Sequence, residues 1–89
     1  MTDGKPRIYR RVGGLECSEV PDGYVIYDDR RAQVHYLNLT AAAVLELCDG
    51  RCDDDEIAEV LQRAFGLASA PVQDVGLCLD SLLSQHLIE

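Results

Sequence analysis

Cysteine and histidine most often carry metal or catalytic chemistry, and this chain has few of them. It has four cysteines, Cys17, Cys48, Cys52 and Cys78, and two histidines. Only Cys48 and Cys52 lie close together, at a spacing compatible with a metal clip, and the usual C-x-x-C pairs are absent. A small cysteine-based metal-binding protein therefore stays an alternative. The simpler interpretation makes Cys48 and Cys78 buried hydrophobic residues on helices.

The two histidines, His35 and His86, are too isolated in sequence to suggest a catalytic triad or a metal cluster. We interpret His35 as a half-exposed residue of a strand. The segment Val12-Gly13-Gly14-Leu15 is too short for a phosphate-binding loop and lacks the helix that should follow. The sequence therefore predicts a protein that is not an enzyme and that needs neither a cofactor nor a metal.

A run of four acidic residues, Asp53-Asp54-Asp55-Glu56, has two possible explanations. As ligands, its carboxylates would suit a divalent cation. As local structure, Asp53 at an N-cap with Glu56 three residues later resembles a capping box. The remaining carboxylates then suit the positive end of the helix dipole. We favour the capping interpretation because it explains the whole run without a ligand.

The length of 89 residues, 47% of them hydrophobic, fits one small domain. The longest apolar runs are a handful of residues, so no transmembrane helix is expected. The polar segment Thr2–Arg7 does not resemble a secretory signal. We therefore expect a cytoplasmic protein that does not bind membranes, in which disulfides are not expected.

The charge of the chain argues against nucleic acid as its main partner. The chain has sixteen Asp and Glu and eight Lys and Arg, which gives a net charge of −8. No Lys or Arg occurs from Ala64 to Glu89. Neutralisation of phosphates by basic side chains supplies most of the affinity of nucleic-acid-binding proteins. We therefore expect no nucleic-acid partner.

The elements that must position these residues begin with strands. Residues 1–14 are charged and glycine-rich and are expected to form a flexible arm, ahead of one domain over residues 15–89. Three strands are predicted next, with a Pro21-Asp22-Gly23 turn and a charged Asp28–Arg31 connection between them. They cover Leu15–Val20, Tyr24–Tyr27 and Gln33–Leu37. Together they form an antiparallel meander.

Three helices follow the strands. The first is capped by Asn38 or Thr40 and ends at Gly50, and the second runs from the acidic run to Gly66. The third starts at Pro71 and runs to about Gln85 or His86. The apolar periodicity predicts that one face of the second helix and one face of the third are buried. Those faces comprise Ile57, Val60, Leu61, Ala64 and Phe65, and Val72, Val75, Leu79, Leu82 and Leu83.

These elements predict an α+β, winged-helix-like fold in which a three-stranded antiparallel sheet is followed by three helices. Winged-helix proteins usually bind DNA through a helix in the major groove. Here the second helix carries one basic residue, Arg63, and the third carries none. A winged-helix DNA-binding regulator is therefore kept only as an alternative, because a fold does not by itself define a function.

The residues that join the sheet to the helices resemble a known family. The segments Leu37-Asn38-x-Thr40-Ala41 and Leu45-x-Leu47-Cys48-Asp49-Gly50, followed by Glu56-Ile57 and a C-terminal helix ending in Leu87-Ile88, are similar to the PqqD family. These proteins are peptide chaperones of peptide-derived natural-product pathways, also described as RiPP recognition elements. The resemblance covers roughly Leu15 to Glu89. Its Leu-Asn-x-Thr-Ala and Leu-Cys-Asp-Gly segments are fairly specific.

The resemblance implies a non-catalytic adaptor that binds the leader segment of a ribosomally made precursor peptide. The leader adds as a further strand on the third strand, lies beside the third helix, and is presented to a modifying enzyme, often a radical S-adenosylmethionine enzyme. The member of pyrroloquinoline quinone synthesis carries a Leu-Leu-x-Pro-Glu-like segment before the third strand. This chain has Val25–Arg31 there instead, which predicts a relative from another pathway.

An antiparallel meander has an open edge, and an open edge is a template for strand addition. We expect the peptide to contact the third strand and the flank of the third helix that lies beside its buried face. On the strand these residues are Gln33, Val34, His35, Tyr36 and Leu37. On the helix they are Asp74, Leu77, Cys78, Ser81 and Gln85.

Overall fold

Most of the strands precede Asn38 and the three described helices follow it, as the change of periodicity there predicts. The structure, a computed structural model, describes residues 7–89. Among them no helix is long and apolar enough to cross a membrane. The α+β prediction is confirmed. The elements are β1 (Ile8–Arg10), β2 (Leu15–Val20), β3 (Gly23–Asp28), β4 (Gln33–Asn38), α1 (Leu39–Leu47), β5 (Asp49–Asp53), α2 (Asp54–Phe65) and α3 (Val72–Ser84).

The predicted meander is present as a three-stranded antiparallel sheet in the order β2-β3-β4. Pro21 and Asp22 alone connect β2 to β3. Gly23 is required where β3 begins, because its φ is 150° and a Cβ there would lie 1.8 Å from the carbonyl oxygen of Leu37. At the other end, Oδ1 of Asp28 accepts hydrogen bonds from two backbone N–H groups of the β3–β4 connection.

The two helix starts follow local rules. Oδ1 of Asn38 accepts a hydrogen bond from the N–H of Ala41 at 2.9 Å, so Asn38 rather than Thr40 is the N-cap of α1. Asp53 and Glu56 form the predicted capping box of α2, with both reciprocal hydrogen bonds present. Gly66 ends α2 in the left-handed conformation, as predicted.

A second, two-stranded sheet corrects two predictions: the flexible N-terminal arm and the end of the first helix. β1 pairs with β5, so part of the segment predicted to be a flexible arm is a strand, whereas residues 1–6 of that arm lie outside the described residues. α1 ends at Leu47 rather than at Gly50, because Asp49–Asp53 is needed as the partner of β1. Gly50, with φ of 85°, belongs to that strand.

The C-terminal segment joins this second sheet instead of prolonging α3. Arg11 and Ile88 form an isolated bridge, and Arg10 and Glu89 exchange two backbone hydrogen bonds of 3.1 and 2.9 Å. Leu87 and Ile88 are therefore buried in the core although they follow the helix. The resemblance had implied that the helix itself ends in these two residues.

The core lies between the helices and one face of the three-stranded sheet. Ile57, Leu61, Val75, Leu79 and Leu82 are buried as predicted, together with residues of α1 and β3. The predicted burial of three residues is wrong: Ala64, Phe65 and Val72 are exposed. They lie at the end of α2 and the start of α3, outside the buried cluster of the core.

Candidate functional site

β4 is an edge strand of the three-stranded sheet, and no described residue pairs with its outer side. Its side chains alternate between two environments. Leu37 is 5% exposed and His35 is half-buried, so both face the helices. Val34 and Tyr36 point to the opposite face and are 64% and 58% exposed. Gln33 begins the strand and is exposed.

The hydrogen-bonding groups of the free edge follow from the register of the meander. N–H groups of antiparallel strands point alternately to the two sides of each strand. Val20 and Gly23 flank the two-residue loop between β2 and β3 and are expected to form a hydrogen-bonded pair. Because such pairs alternate along the ladder, Val25 and Tyr27 of β3 are also expected to hydrogen-bond to β2. On β4, Tyr36 lies opposite Val25 and Val34 lies opposite Tyr27. These two residues are therefore expected to direct their backbone N–H and C=O groups outward.

The predicted residues of α3 lie outside its fully buried face, which comprises Val75, Leu79 and Leu82. Asp80 lies on the side of α3 towards β1, where its negative charge contributes to the raised pKa of Tyr9 after the larger effect of burial. Leu77 lies one helical turn before Asp80 and shares its side of the helix, whereas Cys78 and Gln85 border the buried face. Cys78 and Gln85 are half-buried, whereas Asp74 and Ser81 are exposed and Leu77 is 70% exposed at the rim.

The first helix lies between the β4 edge and this flank. β4 and α3 each pack against α1, and they are not closely packed against each other. The space bounded by β4, α1 and the flank of α3 is called the groove below. The Leu37 side chain is buried in the core and its backbone groups are expected to bond to β3, so Leu37 is not expected to contact a strand added at the edge. That the other predicted residues border the groove stays a prediction.

An apolar cavity of about 310 Å³ lies where β4 leads into α1. It is bordered by residues from the starts of α1 and α3, the end of α2 and the loop between α2 and α3, and it lies at the end of the groove marked by Asp74. The lining residues are Thr40, Leu61, Phe65, Leu67, Pro71 and Asp74. Of these residues, only Asp74 is predicted from the sequence to contact the peptide, because the helical periodicity assigns Phe65 to the core.

A polar cavity of about 380 Å³ lies beneath the connection between β3 and β4, against the segment that follows β1 and the C-terminal residues. Residues that bear charge or a ring nitrogen dominate its lining, and His86 has a left-handed backbone with φ of 63°. Asp28 is only 1% exposed. The lining residues are Val12, Gly13, Asp28, Arg30, Arg31, His86, Ile88 and Glu89.

The cysteines offer little as metal ligands. Cys48 is fully buried, and burial raises the pKa of its thiol to about 12, which disfavours the thiolate that metals bind. Over residues 7–89, no three Cys, His, Asp or Glu side chains come together in a group that could hold a metal ion. Nothing in this part of the chain therefore completes the Cys48–Cys52 pair.

The helices also lack the basic surface that binding to DNA requires. Arg63 is the basic residue in the last turn of α2, and α3 has none in its last turn and Asp74 in its first. The helix that would enter a major groove therefore presents negative charge to phosphates.

Comparison with known proteins agrees with this fold. The sequence profile of the family described as coenzyme PQQ synthesis protein D (PqqD) matches residues 23–88. The chain thus belongs to the PqqD family. Among curated proteins, none is similar enough to count as a match.

One similar solved structure is described as a lasso peptide synthetase B1 complexed with the leader peptide. It superposes with a TM-score of 0.71 at 20% sequence identity, over 93% of this chain and 99% of the other. This similarity extends beyond the region that the family profile matches, because it includes most of the segment before Gly23. It shows that the two chains share a fold.

Proposed function

We propose that this protein is an adaptor that binds the leader segment of a ribosomally synthesised precursor peptide by strand addition at β4. The observation that carries the proposal is the free edge of β4 beside the unpacked flank of α3, in a chain of the PqqD family. The similar lasso peptide synthetase B1 was solved with a leader peptide bound, which supports the assignment.

The dimensions of the groove suit an extended peptide. β4 has six residues and therefore spans about 20 Å, and the 13 residues of α3 also span about 20 Å. A strand added to β4 directs every second side chain towards α3. Its backbone supplies affinity that tolerates different sequences, while the flank of α3 supplies selectivity.

In this role the protein performs no chemistry of its own. It holds the leader and presents the rest of the precursor to a peptide-modifying enzyme, for which a radical S-adenosylmethionine enzyme is the candidate that the family suggests. The departure at Val25–Arg31 favours a precursor and an enzyme outside pyrroloquinoline quinone synthesis.

Proline substitution at the two sheet edges tests the proposal. Val34→Pro removes an outward N–H from β4. Cys17→Pro makes the matched change on β2: Cys17 lies opposite Ile26, which is expected to bond to β4, so the N–H of Cys17 also points outward. The probe is a fluorescent synthetic peptide with the leader sequence of the precursor encoded beside the gene, and binding is measured by fluorescence anisotropy. Val34→Pro should weaken binding by about tenfold or more, since it removes a ladder hydrogen bond and obstructs the strand.

The control variant Cys17→Pro should bind the peptide as the unchanged protein does. Circular dichroism and thermal melting of both variants establish that each is folded. Normal binding by folded Val34→Pro would exclude strand addition at β4. Loss of binding by Cys17→Pro alone would move the site to the opposite edge of the sheet.

A further inference from the structure

A further cavity, of about 390 Å³, lies where the end of β2 and the start of β3 meet α1. α1 packs against β3 and β4 but is not closely packed against β2. The face of β2 that carries Cys17 and Glu19 is therefore left uncovered, and both side chains are exposed. The end of β2, the β2–β3 loop, the start of β3, one side of α1 and the end of α2 line this space. It is called the β2–α1 cavity below.

Two large apolar side chains are exposed at the β2–α1 cavity. Leu39, the first residue of α1, is 57% exposed, and Phe65, the last residue of α2, is 45% exposed. α1 also contributes the small side chains of Ala42 and Ala43 to the lining, which leave room for a larger side chain from another molecule. Apolar side chains that gather at an exposed concave surface are typical of sites where another chain packs.

The charged side chains at this cavity are acidic. Glu19 and Glu46 line it, and no Lys or Arg of residues 7–89 does. The hydroxyl of Tyr24 donates a hydrogen bond of 2.9 Å to Oε2 of Glu46, which holds this carboxylate at the cavity. Nη1 of Arg11 lies 3.8 Å from the same oxygen, but Arg11 is outside the lining, and exposed ion pairs of this kind are weak. The two carboxylates therefore favour a partner that carries Lys or Arg beside its apolar residues.

The position of the cavity distinguishes its occupant from the leader peptide. None of its described lining residues belongs to β4 or α3. β2 is at the opposite edge of the sheet from β4, so a strand added to β4 would lie three strand spacings, about 14 Å, from β2. Glu19 on β2 thus stays accessible when the groove is filled. An adaptor that presents a bound peptide must contact the modifying enzyme at the same time, which requires a second surface of this kind.

We propose that the β2–α1 cavity is the docking surface for the peptide-modifying enzyme, which inserts an apolar side chain flanked by Lys or Arg. This proposal rests on the proposed function, because an enzyme partner is expected only of an adaptor. It goes beyond leader binding by assigning the second partner to a surface of its own and by defining the chemistry of the segment that docks there.

Charge reversal at two matched positions of β2 tests the proposal. Glu19→Lys places a cation at the cavity, whereas Glu16→Lys makes the same change on the other face of the strand. Both glutamates are exposed, and each lies opposite a tyrosine of β3. A second pair compares Leu39→Ala at the cavity with Ile8→Ala on β1, where Ile8 is 54% exposed.

The probe is the purified peptide-modifying enzyme encoded beside the gene, and its binding to the immobilised protein is measured by surface plasmon resonance, with and without leader peptide. Glu19→Lys and Leu39→Ala should each weaken enzyme binding about tenfold, because one removes a complementary charge and the other an apolar contact. Glu16→Lys and Ile8→Ala should bind the enzyme as the unchanged protein does. All four variants should keep the cooperative thermal melt and the affinity for the leader peptide.

Several results would overturn this docking surface. Among them are normal enzyme binding by folded Glu19→Lys or Leu39→Ala, an equal loss in the matched control, and no binding of the enzyme to the unchanged protein. Weaker leader binding by Glu19→Lys would place the cavity on the peptide path instead. A dimer in sedimentation velocity that Leu39→Ala dissociates would assign the cavity to a second copy of the chain. The adaptor function is judged separately, by the leader binding of Val34→Pro.

Discussion

The four cysteine thiols occupy three different environments. Cys17 is exposed on β2, Cys52 and Cys78 are half-buried, and Cys48 is fully buried. Burial also raises the pKa of the Cys78 thiol, in the same direction as for Cys48. Because the thiolate is the reactive form, a higher pKa and lower access both slow reaction with thiol reagents at neutral pH.

These differences predict an order of labelling that also reports on the groove. In the free protein we expect iodoacetamide to modify Cys17 first, Cys78 more slowly, and Cys48 only after unfolding. Bound leader peptide should slow labelling of Cys78 on the flank of α3 and leave Cys17 unchanged. Mass spectrometry of proteolytic fragments measures both rates. Equal protection of the two thiols would indicate general tightening of the fold rather than contact at the groove.

Elements defined by neighbouring residues were predictable from the sequence, whereas those defined by distant pairing were not. The capping box of α2 and the two hairpin connections are set within a few residues of one another. β1 has three residues and no apolar alternation, and it exists because β5 lies beside it. Pairing between distant segments therefore explains both the formation of β1 and the end of α1 before Gly50.

The capping box gives a prediction at this scale. Asp53→Ala removes the acceptor for the N–H of Glu56 and should lower the free energy of unfolding by about 1 kcal/mol. Asp55→Ala is the matched control, since Asp55 is exposed and its carboxylate accepts no capping bond; only a few tenths of a kcal/mol are expected from the helix dipole. Urea unfolding at unchanged slope measures both. Equal losses would show that general charge, not the cap, stabilises the helix start.

The sequence predicts the two surfaces proposed to border the groove, but it does not predict the cavities that the structure shows. The meander order indicated an edge at β4, and helical phase indicated the flank of α3. The apolar cavity is lined by Phe65, which is exposed although its helical phase predicts burial. The polar cavity depends on where the C-terminal residues lie relative to the β3–β4 connection, and spacing in sequence carries no such information.

The charge of the whole molecule distinguishes the adaptor from a DNA-binding winged-helix protein. A chain with net charge −8 repels a polyanion unless a basic surface is segregated, and α3 offers none. We expect no measurable binding to duplex DNA at micromolar protein concentration in low salt, tested by electrophoretic mobility shift. Sub-micromolar affinity that falls steeply as salt is raised would support the DNA-binding alternative.

The paired ends of the described chain have a consequence for how this domain can be combined with others. Arg10 and Glu89 face each other across one antiparallel pair, so their Cα atoms are about 5.5 Å apart. A host protein that received the domain as a loop insertion would need to open only by that distance. The same fold is therefore suited to act as a free subunit or as an inserted module of a larger enzyme.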